Sequence, residues 1–216
     1  LSSANRTGEP DAVDGQSVID AVGDAVELVL DDGPCRFGQP SSVVRVHVNQ
    51  YEILRGGVVP EQALRRLASF MALLVCTGNT CRSPMAEILC RDLMAKRLDC
   101  SVDELDERCI VVASAGIAAM MGGRASSEAV QAAAELGLDL ADHETQPLSE
   151  PLVRHADLVL TMTRSHREAI VAQWPGAAER THLLCTDGSD VSDPIGGTLD
   201  RYQQCAAQIE THLRVR

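Results

Sequence analysis

Residues 75–84 read Val75-Cys76-Thr77-Gly78-Asn79-Thr80-Cys81-Arg82-Ser83-Pro84. An apolar run over residues 71–75 leads into this segment, and a helical pattern over residues 84–98 follows it. A strand, a tight loop and a helix in this order gather backbone N–H groups around an anion at the helix N-terminus. The segment therefore predicts a phosphate-binding loop.

This loop has a cysteine at its entry and an arginine at its exit. N–H donors and a guanidinium favour the thiolate of Cys76, which is its nucleophilic form. Arg82 offers a planar fork that can bind two phosphate oxygens at once. The pair is therefore predicted to attack and hold a phosphoryl group. The alternatives are a buried structural cysteine and a zinc site at Cys76 and Cys81, but no second pair of ligands follows at zinc-site spacing, so no metal is predicted.

Four motifs in order resemble the low-molecular-weight protein tyrosine phosphatase family. They are Cys76-x5-Arg82-Ser83, Ser114-Ala115-Gly116, the segment Ala-Asp-Leu-Val-Leu-Thr-Met at 156–162, and Ser192-Asp193-Pro194. The resemblance covers about residues 71–213. It implies a cysteine-dependent phosphatase that forms a cysteinyl-phosphate intermediate, needs no cofactor and acts on a phosphorylated protein.

Phosphoryl transfer through a cysteine also needs an acid for the leaving group, and Asp193 is the candidate. Pro194 restricts it to extended backbone, which suits a side chain held over a pocket by a loop. From the residues alone, Asp187 and Asp190 are competitors, and an ordinary turn aspartate is the alternative. The Asp-Pro motif of the family favours Asp193.

The other loop residues are expected to bind the phosphate or to shape the loop: Thr77, Gly78, Asn79, Thr80, Cys81 and Ser83. Asn79 tolerates a positive φ. Ser83 can donate a hydrogen bond to the Cys76 thiolate or cap the helix that follows. The resemblance implies that a supporting network of Ser83, Ser114 and His143 holds Asn79.

The sequence leaves the phosphorylated group open between phosphotyrosine and phosphoarginine. Tyrosine-specific family members carry an apolar residue at the position of Thr80 and aromatic residues after the Asp-Pro pair. This chain has Ile195-Gly196-Gly197 there. Thr-Cys-Arg-Ser and Asp-Pro-x-Gly-Gly resemble the bacterial arginine phosphatase branch, although that branch has Phe at the position of Ile195. Thr80 and Ile195 are therefore the predicted specificity residues, with phosphoarginine slightly favoured.

Residues 1–66 carry a second set of motifs, which resemble threonylcarbamoyl-adenylate synthases, enzymes of tRNA modification. The motifs are Leu1-Ser2-Ser3-Ala4-Asn5, Asp31-Asp32-Gly33-Pro34, Pro40-Ser41-Ser42-Val43-Val44 and Ile53-Leu54-Arg55-Gly56-Gly57. The resemblance implies a C-terminal fragment of that family's domain, with Ser3, Asn5 and Arg55 lining a nucleotide pocket. We expect this truncated fragment to be inactive as it stands, because the Lys-x-Arg motif of the family is missing. The alternatives are an appended α/β module, or a protein whose main task is L-threonylcarbamoyladenylate synthesis.

The order of apolar segments predicts an α/β fold. From residue 71, strands alternate with helices, which implies an open four-stranded parallel sheet with helices on both faces and the site at the strand C-terminal ends. The predicted strands are 71–75, 110–114, 157–161 and 181–185, and the predicted helices are 84–98, 126–136, 150–155, 164–174 and 199–213. The preceding partial α/β fragment is predicted to hold a helix at 17–25, a strand at 26–30 and a strand pair at 42–48 and 51–54. A linker helix over residues 60–70 joins the predicted domains, 1–66 and 71–216.

Composition limits the classes of function. Apolar residues make up 45% of the 216 residues, but no run reaches the roughly 20 residues of a membrane span, so no membrane partner is expected. A net charge of −12 argues against a nucleic-acid partner for the phosphatase domain. Eight cysteines at irregular spacing, without a signal peptide, predict reduced thiols and a cytoplasmic protein. The remaining alternative is a non-catalytic phosphate-binding module, against which the intact Cys76, Arg82 and Asp193 argue.

Overall fold

The structure, a computed structural model, describes residues 4–47 and 50–216. Its internal contacts separate two units, residues 1–67 and residues 68–216. Within the described residues, no helix combines the length and apolar character needed to cross a membrane.

The described residues of the first unit form two α-helices, a short 3-10 helix (Gly23–Ala25) and a β-hairpin. Helix α1 (Gly15–Val22) begins with a reciprocal cap, in which the Asp14 carboxylate accepts from Ser17 N–H and Ser17 Oγ accepts from Asp14 N–H. The strands β1 (Val43–His47) and β2 (Gln50–Arg55) pair antiparallel, and α2 (Glu61–Ala68) follows. The last residue of the predicted strand 42–48, Val48, lies outside the described residues.

The predicted strand at residues 26–30 is wrong. These residues have no regular strand structure, and the side chains of Leu28 and Leu30 are 74% and 88% exposed. The apolar pattern is that of a strand, but a strand is stable only when a neighbouring strand satisfies its N–H and C=O groups. Among the described residues of this unit, no strand pairs with the segment.

The second unit confirms the predicted sheet. The strands β3 (Phe70–Cys76), β4 (Ile110–Gly116), β5 (Leu158–Thr161) and β6 (Thr181–Leu183) lie in the order β4-β3-β5-β6, and every pairing is parallel. β3 is central and reads Phe-Met-Ala-Leu-Leu-Val-Cys, and its last five residues are buried. A continuous apolar strand of this kind is typical of a parallel sheet covered on both faces.

Helices cover both faces of this sheet. They are α3 (Arg82–Leu98), α4 (Glu104–Glu107), α5 (Ser127–Glu135), α6 (Glu150–His155), α7 (Arg164–Gln173) and α8 (Leu199–Arg214). On one face, Leu74 of β3 belongs to a core cluster with residues of α3, α5 and α8. On the other face, Leu73 and Val75 belong to a cluster with Val153 of α6 and Ile170 of α7.

Three local predictions need correction. Helix α3 begins at Arg82 with Cys81 as its N-cap, so Ser83 lies inside the first turn and is not the cap. The last strand ends at Leu183, two residues before the predicted end, and the short helix α4 was not predicted. With this start, Pro84 stands in the first turn of α3, where its missing N–H costs no hydrogen bond.

Candidate active site

Cys76 is the last residue of β3 and lies buried at the C-terminal edge of the sheet. Its Sγ accepts a hydrogen bond from the backbone N–H of Asn79 at 3.2 Å and lies 3.0 Å from Ser83 Oγ. The N-terminus of the 17-residue helix α3 follows at Arg82. A helix N-terminus carries a partial positive charge, so the whole loop favours an anion beside Sγ.

Asn79 holds the loop in shape. It adopts a φ of +55°, a left-handed conformation that asparagine tolerates better than most residues. Its Nδ2 donates to Ser83 Oγ at 3.0 Å and to Ser114 Oγ at 2.8 Å. His143 Nε2 lies 2.9 Å from the backbone carbonyl of Asn79. The structure thus brings Ser83, Ser114 and His143 around Asn79, with the histidine on its main chain.

Two members of this network were not predicted. Ser114 Oγ donates to Glu87 Oε2 at 2.6 Å, which makes Glu87 the charged end of the chain of hydrogen bonds. The backbone N–H of Gln146 donates to Asn79 Oδ1 at 2.9 Å. Glu87 lies four residues after Ser83 on one helix face, a spacing that could have revealed it. A backbone donor such as Gln146 N–H leaves no signal in the sequence.

Gly116, at the end of β4, makes room for the loop. A Cβ at this position would lie 2.6 Å from the Thr77 carbonyl oxygen and 2.8 Å from Asn79 N. Both neighbours are backbone atoms of the phosphate loop and cannot rotate away. The Ser-Ala-Gly motif therefore has two roles. Ser114 accepts a hydrogen bond from Asn79, and Gly116 lets the loop backbone pass close to β4.

Arg82 and Asp193 form an ion pair over the loop. The Arg82 side chain is only 7% exposed, and its Nη2 donates to Asp193 Oδ2 at 2.6 Å. The carboxylate is about half exposed, and its Oδ1 accepts from Ile195 N–H at 3.2 Å. A buried guanidinium needs an anion beside it, and in this structure Asp193 supplies that anion.

The two competing aspartates have other contacts. The Asp190 carboxylate accepts from Arg164 N–H at 2.8 Å, at the start of α7. The Asp187 carboxylate accepts from the N–H and the hydroxyl of Ser189. The structure therefore brings Asp193 of the three to the arginine of the loop.

His166, on α7, is a further residue that was not predicted at the site. Its Nε2 lies 2.9 Å from Thr77 Oγ1, and its Nδ1 is buried without a partner among the described atoms. Burial, together with the nearby Arg82 guanidinium, lowers the pKa of His166 to about 4, against the opposing effect of Asp190 and Asp193. The ring is therefore neutral at pH 7 and supports Thr77 as an uncharged group.

This neutral histidine makes stability depend on pH. In the unfolded chain His166 takes up a proton near pH 6.5, whereas in the folded protein it does so only near pH 4. Between these values the unfolded state binds more protons, so stability falls as the pH falls from 6.5 to 4, by at most about 3 kcal/mol. We expect the unfolding free energy of the wild type to drop by about 1–3 kcal/mol more over this window than that of His166→Gln, which keeps a donor for Thr77. Parallel pH curves in denaturant titrations would contradict this expectation.

The two predicted specificity residues differ in exposure. Thr80 is partly buried, with its Oγ1 3.5 Å from Cys81 Sγ. Ile195 is 69% exposed, two residues after Asp193. Tyr202 is buried, and its hydroxyl lies 3.5 Å from Cys81 Sγ. The segment 192–198 that follows β6 and its loop contains no aromatic residue.

One group of three possible metal ligands occurs in the described part of the chain. Its members are Cys185, Asp187 and His212, whose ligand atoms lie within 4.8 Å of one another. The group includes neither Cys76 nor Cys81. His212 Nδ1 already accepts from Thr186 N–H. The group is therefore separate from the phosphate loop.

Of the predicted nucleotide-pocket residues, the structure describes Asn5 and Arg55, and each has its own local contacts. Ser3 lies outside the described residues. Asn5 donates to the Glu9 carbonyl at 2.8 Å, and Arg55 donates to the Ser41 carbonyl at 3.0 Å. Among the described atoms, no hydrogen bond joins Asn5 to Arg55, and neither lines the cavity of about 350 Å³ beside α1. Their role in a nucleotide pocket stays a prediction.

Comparison with known families gives two matches. Residues 71–215 match the family described as low molecular weight phosphotyrosine protein phosphatase. Residues 1–57 match the Sua5/YciO/YrdC family, described as telomere recombination, which agrees with the resemblance of this part to threonylcarbamoyl-adenylate synthases.

Individual relatives match the second unit over most of their own length. The protein-arginine-phosphatase of Bacillus subtilis (strain 168) is 40% identical over 146 residues, which are 66% of this chain and 91% of the relative. The crystal structure of a low molecular weight protein tyrosine phosphatase from T. tengcongensis is 37% identical, with a TM-score of 0.60, and the match covers 68% of this chain and 96% of that one. A structure of the YwlE arginine phosphatase, with serine in place of the active-site cysteine and that serine phosphorylated, is 38% identical, with a TM-score of 0.59 and coverage of 67% and 91%.

Proposed function

Because the chain belongs, over residues 71–215, to the low molecular weight phosphotyrosine protein phosphatase family and is a cysteine-dependent phosphatase, we propose that it removes phosphate from arginine side chains of proteins. The observation that carries this proposal is the polar Thr80 in the loop, together with the absence of aromatic residues from segment 192–198. Thr80 places a hydroxyl beside the cysteine loop, and the segment after Asp193 reads Pro-Ile-Gly-Gly. A phenol ring would bind best against aromatic walls, whereas a guanidinium needs polar and acidic neighbours.

The relatives support the proposal without deciding it. The Bacillus subtilis relative is named an arginine phosphatase at 40% identity, and the T. tengcongensis protein is named a tyrosine phosphatase at 37% identity. Because these identities are so close, the substrate class is inferred from Thr80 and from segment 192–198, which has no aromatic residue.

In the proposed first step, Cys76 attacks phosphorus and the bond from phosphorus to the guanidinium nitrogen breaks. The Sγ–P bond forms as Asp193 gives its proton to the departing nitrogen. Arg82 and the loop N–H groups bind the equatorial oxygens and stabilise the charge that develops on them. The products are a cysteinyl phosphate on Cys76, an arginine side chain and an ionised Asp193.

In the second step, water attacks the phosphorus of the cysteinyl phosphate. Asp193 takes a proton from this water, the Sγ–P bond breaks, and inorganic phosphate leaves with Cys76 again a thiolate. The phosphorylated serine in the YwlE structure supports a covalent phosphate at the corresponding position here.

A phosphate that binds Arg82 must displace the Asp193 carboxylate from the ion pair. When the phosphate binds the Arg82 guanidinium, the Asp193 carboxyl loses its contact with Arg82 Nη2, which lies 2.6 Å from Asp193 Oδ2 in this structure. A phosphate beside a carboxyl favours the protonated form of that carboxyl. Substrate binding therefore prepares Asp193 to act as an acid.

The test uses two peptides of one sequence that differ only in phosphoarginine or phosphotyrosine. We expect the 216-residue chain to release phosphate from the phosphoarginine peptide with a kcat/KM at least about tenfold higher, and Cys76→Ser to release none. A preference for phosphotyrosine would contradict the substrate class. No Cys76-dependent release from either peptide would favour a binding module.

Thr80→Ile should weaken or abolish this preference. The change replaces a hydroxyl beside the loop by an apolar side chain that suits an aromatic ring, and costs the polar guanidinium a partner. We expect the ratio of kcat/KM for phosphoarginine over phosphotyrosine to fall by about tenfold or more. Ser126→Ala removes another hydroxyl near Cys81, 3.4 Å from its Sγ, and keeps the backbone bond from Ser126 N–H to the Thr80 carbonyl. It is the matched control and should leave the ratio unchanged. An unchanged ratio in Thr80→Ile would remove Thr80 from the specificity residues.

For residues 1–66 we propose a fragment of a threonylcarbamoyl-adenylate synthase fold without synthase activity of its own, joined near α2 to a phosphatase domain over residues 71–216. The family match over residues 1–57 supports the fold, and the separate contacts of Asn5 and Arg55 support the lack of a formed pocket. ATP consumption by this chain with threonine and bicarbonate would contradict the proposal.

A further inference from the structure

The acid loop, defined here as residues 190–195, has several contacts before Asp193. The Asp190 carboxylate accepts from Arg164 N–H, and the Val191 carbonyl accepts from Arg82 Nη1 at 3.5 Å. On the sheet side, Val191 is buried and donates its N–H to the Met162 carbonyl at 2.8 Å. On the other side, the loop meets Gln208, which lies in the third turn of α8. This contact is made by a side chain that no motif of the phosphatase reaction requires.

Gln208 bonds the loop backbone in two directions. Its Oε1 accepts from Ser192 N–H at 3.1 Å, and its Nε2 donates to the Asp190 carbonyl at 3.2 Å. One side-chain amide therefore pairs with an N–H and a C=O two residues apart, as a neighbouring strand would. The bonded residues, Asp190 and Ser192, lie on each side of Val191, and Ser192 directly precedes Asp193.

A second side chain of α8 completes the contact. The Cys205 thiol lies 3.5 Å from the Ser192 carbonyl and is placed to donate to it. Burial raises the pKa of Cys205 to about 12, so this sulfur keeps its proton at neutral pH. Both backbone polar groups of Ser192 thus bond to α8.

A cavity of about 280 Å³ lies between the acid loop and α8, lined by Asp193 and Pro194 on one side and by Gln204 and Gln208 on the other. The contacts at Ser192 are the last fixed point on this side before the carboxylate. The loop is largely exposed, so water can replace a lost hydrogen bond, and the effect of losing it is on position more than on stability.

We propose that Gln208 is a positioning residue that holds the acid loop on α8 and so aims the Asp193 carboxyl at the leaving group. The inference rests on the proposed acid role of Asp193. A carboxyl that is displaced by even a fraction of an ångström delivers its proton less effectively, because proton transfer needs hydrogen-bond distance in the transition state.

The test compares two phosphate monoesters that differ in their need for an acid. Phenyl phosphate has a poor leaving group and needs protonation, whereas 4-nitrophenyl phosphate leaves readily without it. Gln208→Met keeps the length of the side chain and removes both hydrogen bonds. We expect it to lower kcat/KM for phenyl phosphate by about tenfold and for 4-nitrophenyl phosphate by less than about twofold.

Two further variants separate position from packing. Gln204, one turn earlier, lines the same cavity, but among the described residues its amide bonds Asp200 of its own helix and not the acid loop. Gln204→Met is therefore the control. It should match the wild type on both esters. Gln208→Glu keeps the acceptor for Ser192 N–H and should restore most of the lost activity on phenyl phosphate.

Each outcome supports or overturns the inference. An equal loss on both esters in Gln208→Met, or no loss on phenyl phosphate, would overturn the positioning role while leaving the phosphatase intact. A loss in Gln208→Glu as large as in Gln208→Met would overturn the Ser192 contact as its basis. Absence of Cys76-dependent turnover of either ester by the wild type would instead overturn the proposed mechanism itself.

Discussion

Cys76→Ser is expected to lower the turnover of any phosphate monoester by about 10⁴-fold or more. Serine fits the site, and its Oγ can keep the contacts with Asn79 N–H and Ser83 Oγ that the sulfur has at 3.2 and 3.0 Å. An alcohol at neutral pH holds its proton far more strongly than a thiol beside N–H donors, so the nucleophile is lost while the phosphate site remains. Steady-state rates with 4-nitrophenyl phosphate, together with calorimetric binding of phosphate, measure the two effects separately.

Cys90→Ala is the matched control. Cys90 is also buried on the α3 side of the sheet, but burial and the Glu87 carboxylate raise the pKa of its thiol to about 11. It is therefore a protonated core residue, and its replacement should cost stability and leave kcat within about twofold. Activity of Cys76→Ser within tenfold of the wild type would show that another group attacks phosphorus.

Asp193→Asn is expected to have the second largest effect. The amide keeps the shape of the carboxyl and the bond from Ile195 N–H, but it cannot give a proton to the leaving group. We expect kcat/KM for phenyl phosphate to fall by about 10² to 10³-fold, and for 4-nitrophenyl phosphate by much less. The ion pair with Arg82 is lost at the same time, so phosphate no longer displaces a carboxylate and should bind more tightly to the free enzyme.

Asp187→Asn serves as the control for this change. Asp187 is exposed, and its carboxylate accepts from Ser189, so the variant should keep both rates. A larger loss in Asp187→Asn than in Asp193→Asn would move the acid role to the competitor. Equal losses of Asp193→Asn on both esters would indicate a binding role in place of proton transfer.

The catalytic edge of the sheet could be read from the sequence because each part has a local cause. The apolar run of β3 is long enough to be a buried parallel strand, and the loop after it has the residues that an anion site needs. The Asp-Pro pair follows β6 in the sequence. It lies at the same sheet edge as the cysteine loop because parallel strands all end at that edge. Arg82 and Asp193 therefore pair at the sheet edge at which Cys76 ends β3.

Other features could not be read because they depend on distant parts of the chain. Gln146 contributes a backbone N–H, and Gln208 contributes an amide from a helix that begins beyond the acid loop. From the sequence, His166 is indistinguishable from an exposed helix residue. Its contact with Thr77 is seen only in the folded structure. The segment at residues 26–30 shows the opposite limit, since its pattern is that of a strand but its pairing partner is missing among the described residues.

The most direct test of a covalent arginine phosphatase is to find the phosphate on the enzyme. The 216-residue chain is mixed with the phosphoarginine peptide, denatured within milliseconds and examined by mass spectrometry, with the phosphotyrosine peptide in parallel. We predict one phosphate on Cys76, formed faster from phosphoarginine and absent in Cys76→Ala. Phosphate release without a phosphorylated Cys76, or a cysteinyl phosphate that forms only from phosphotyrosine, would contradict this mechanism or this substrate.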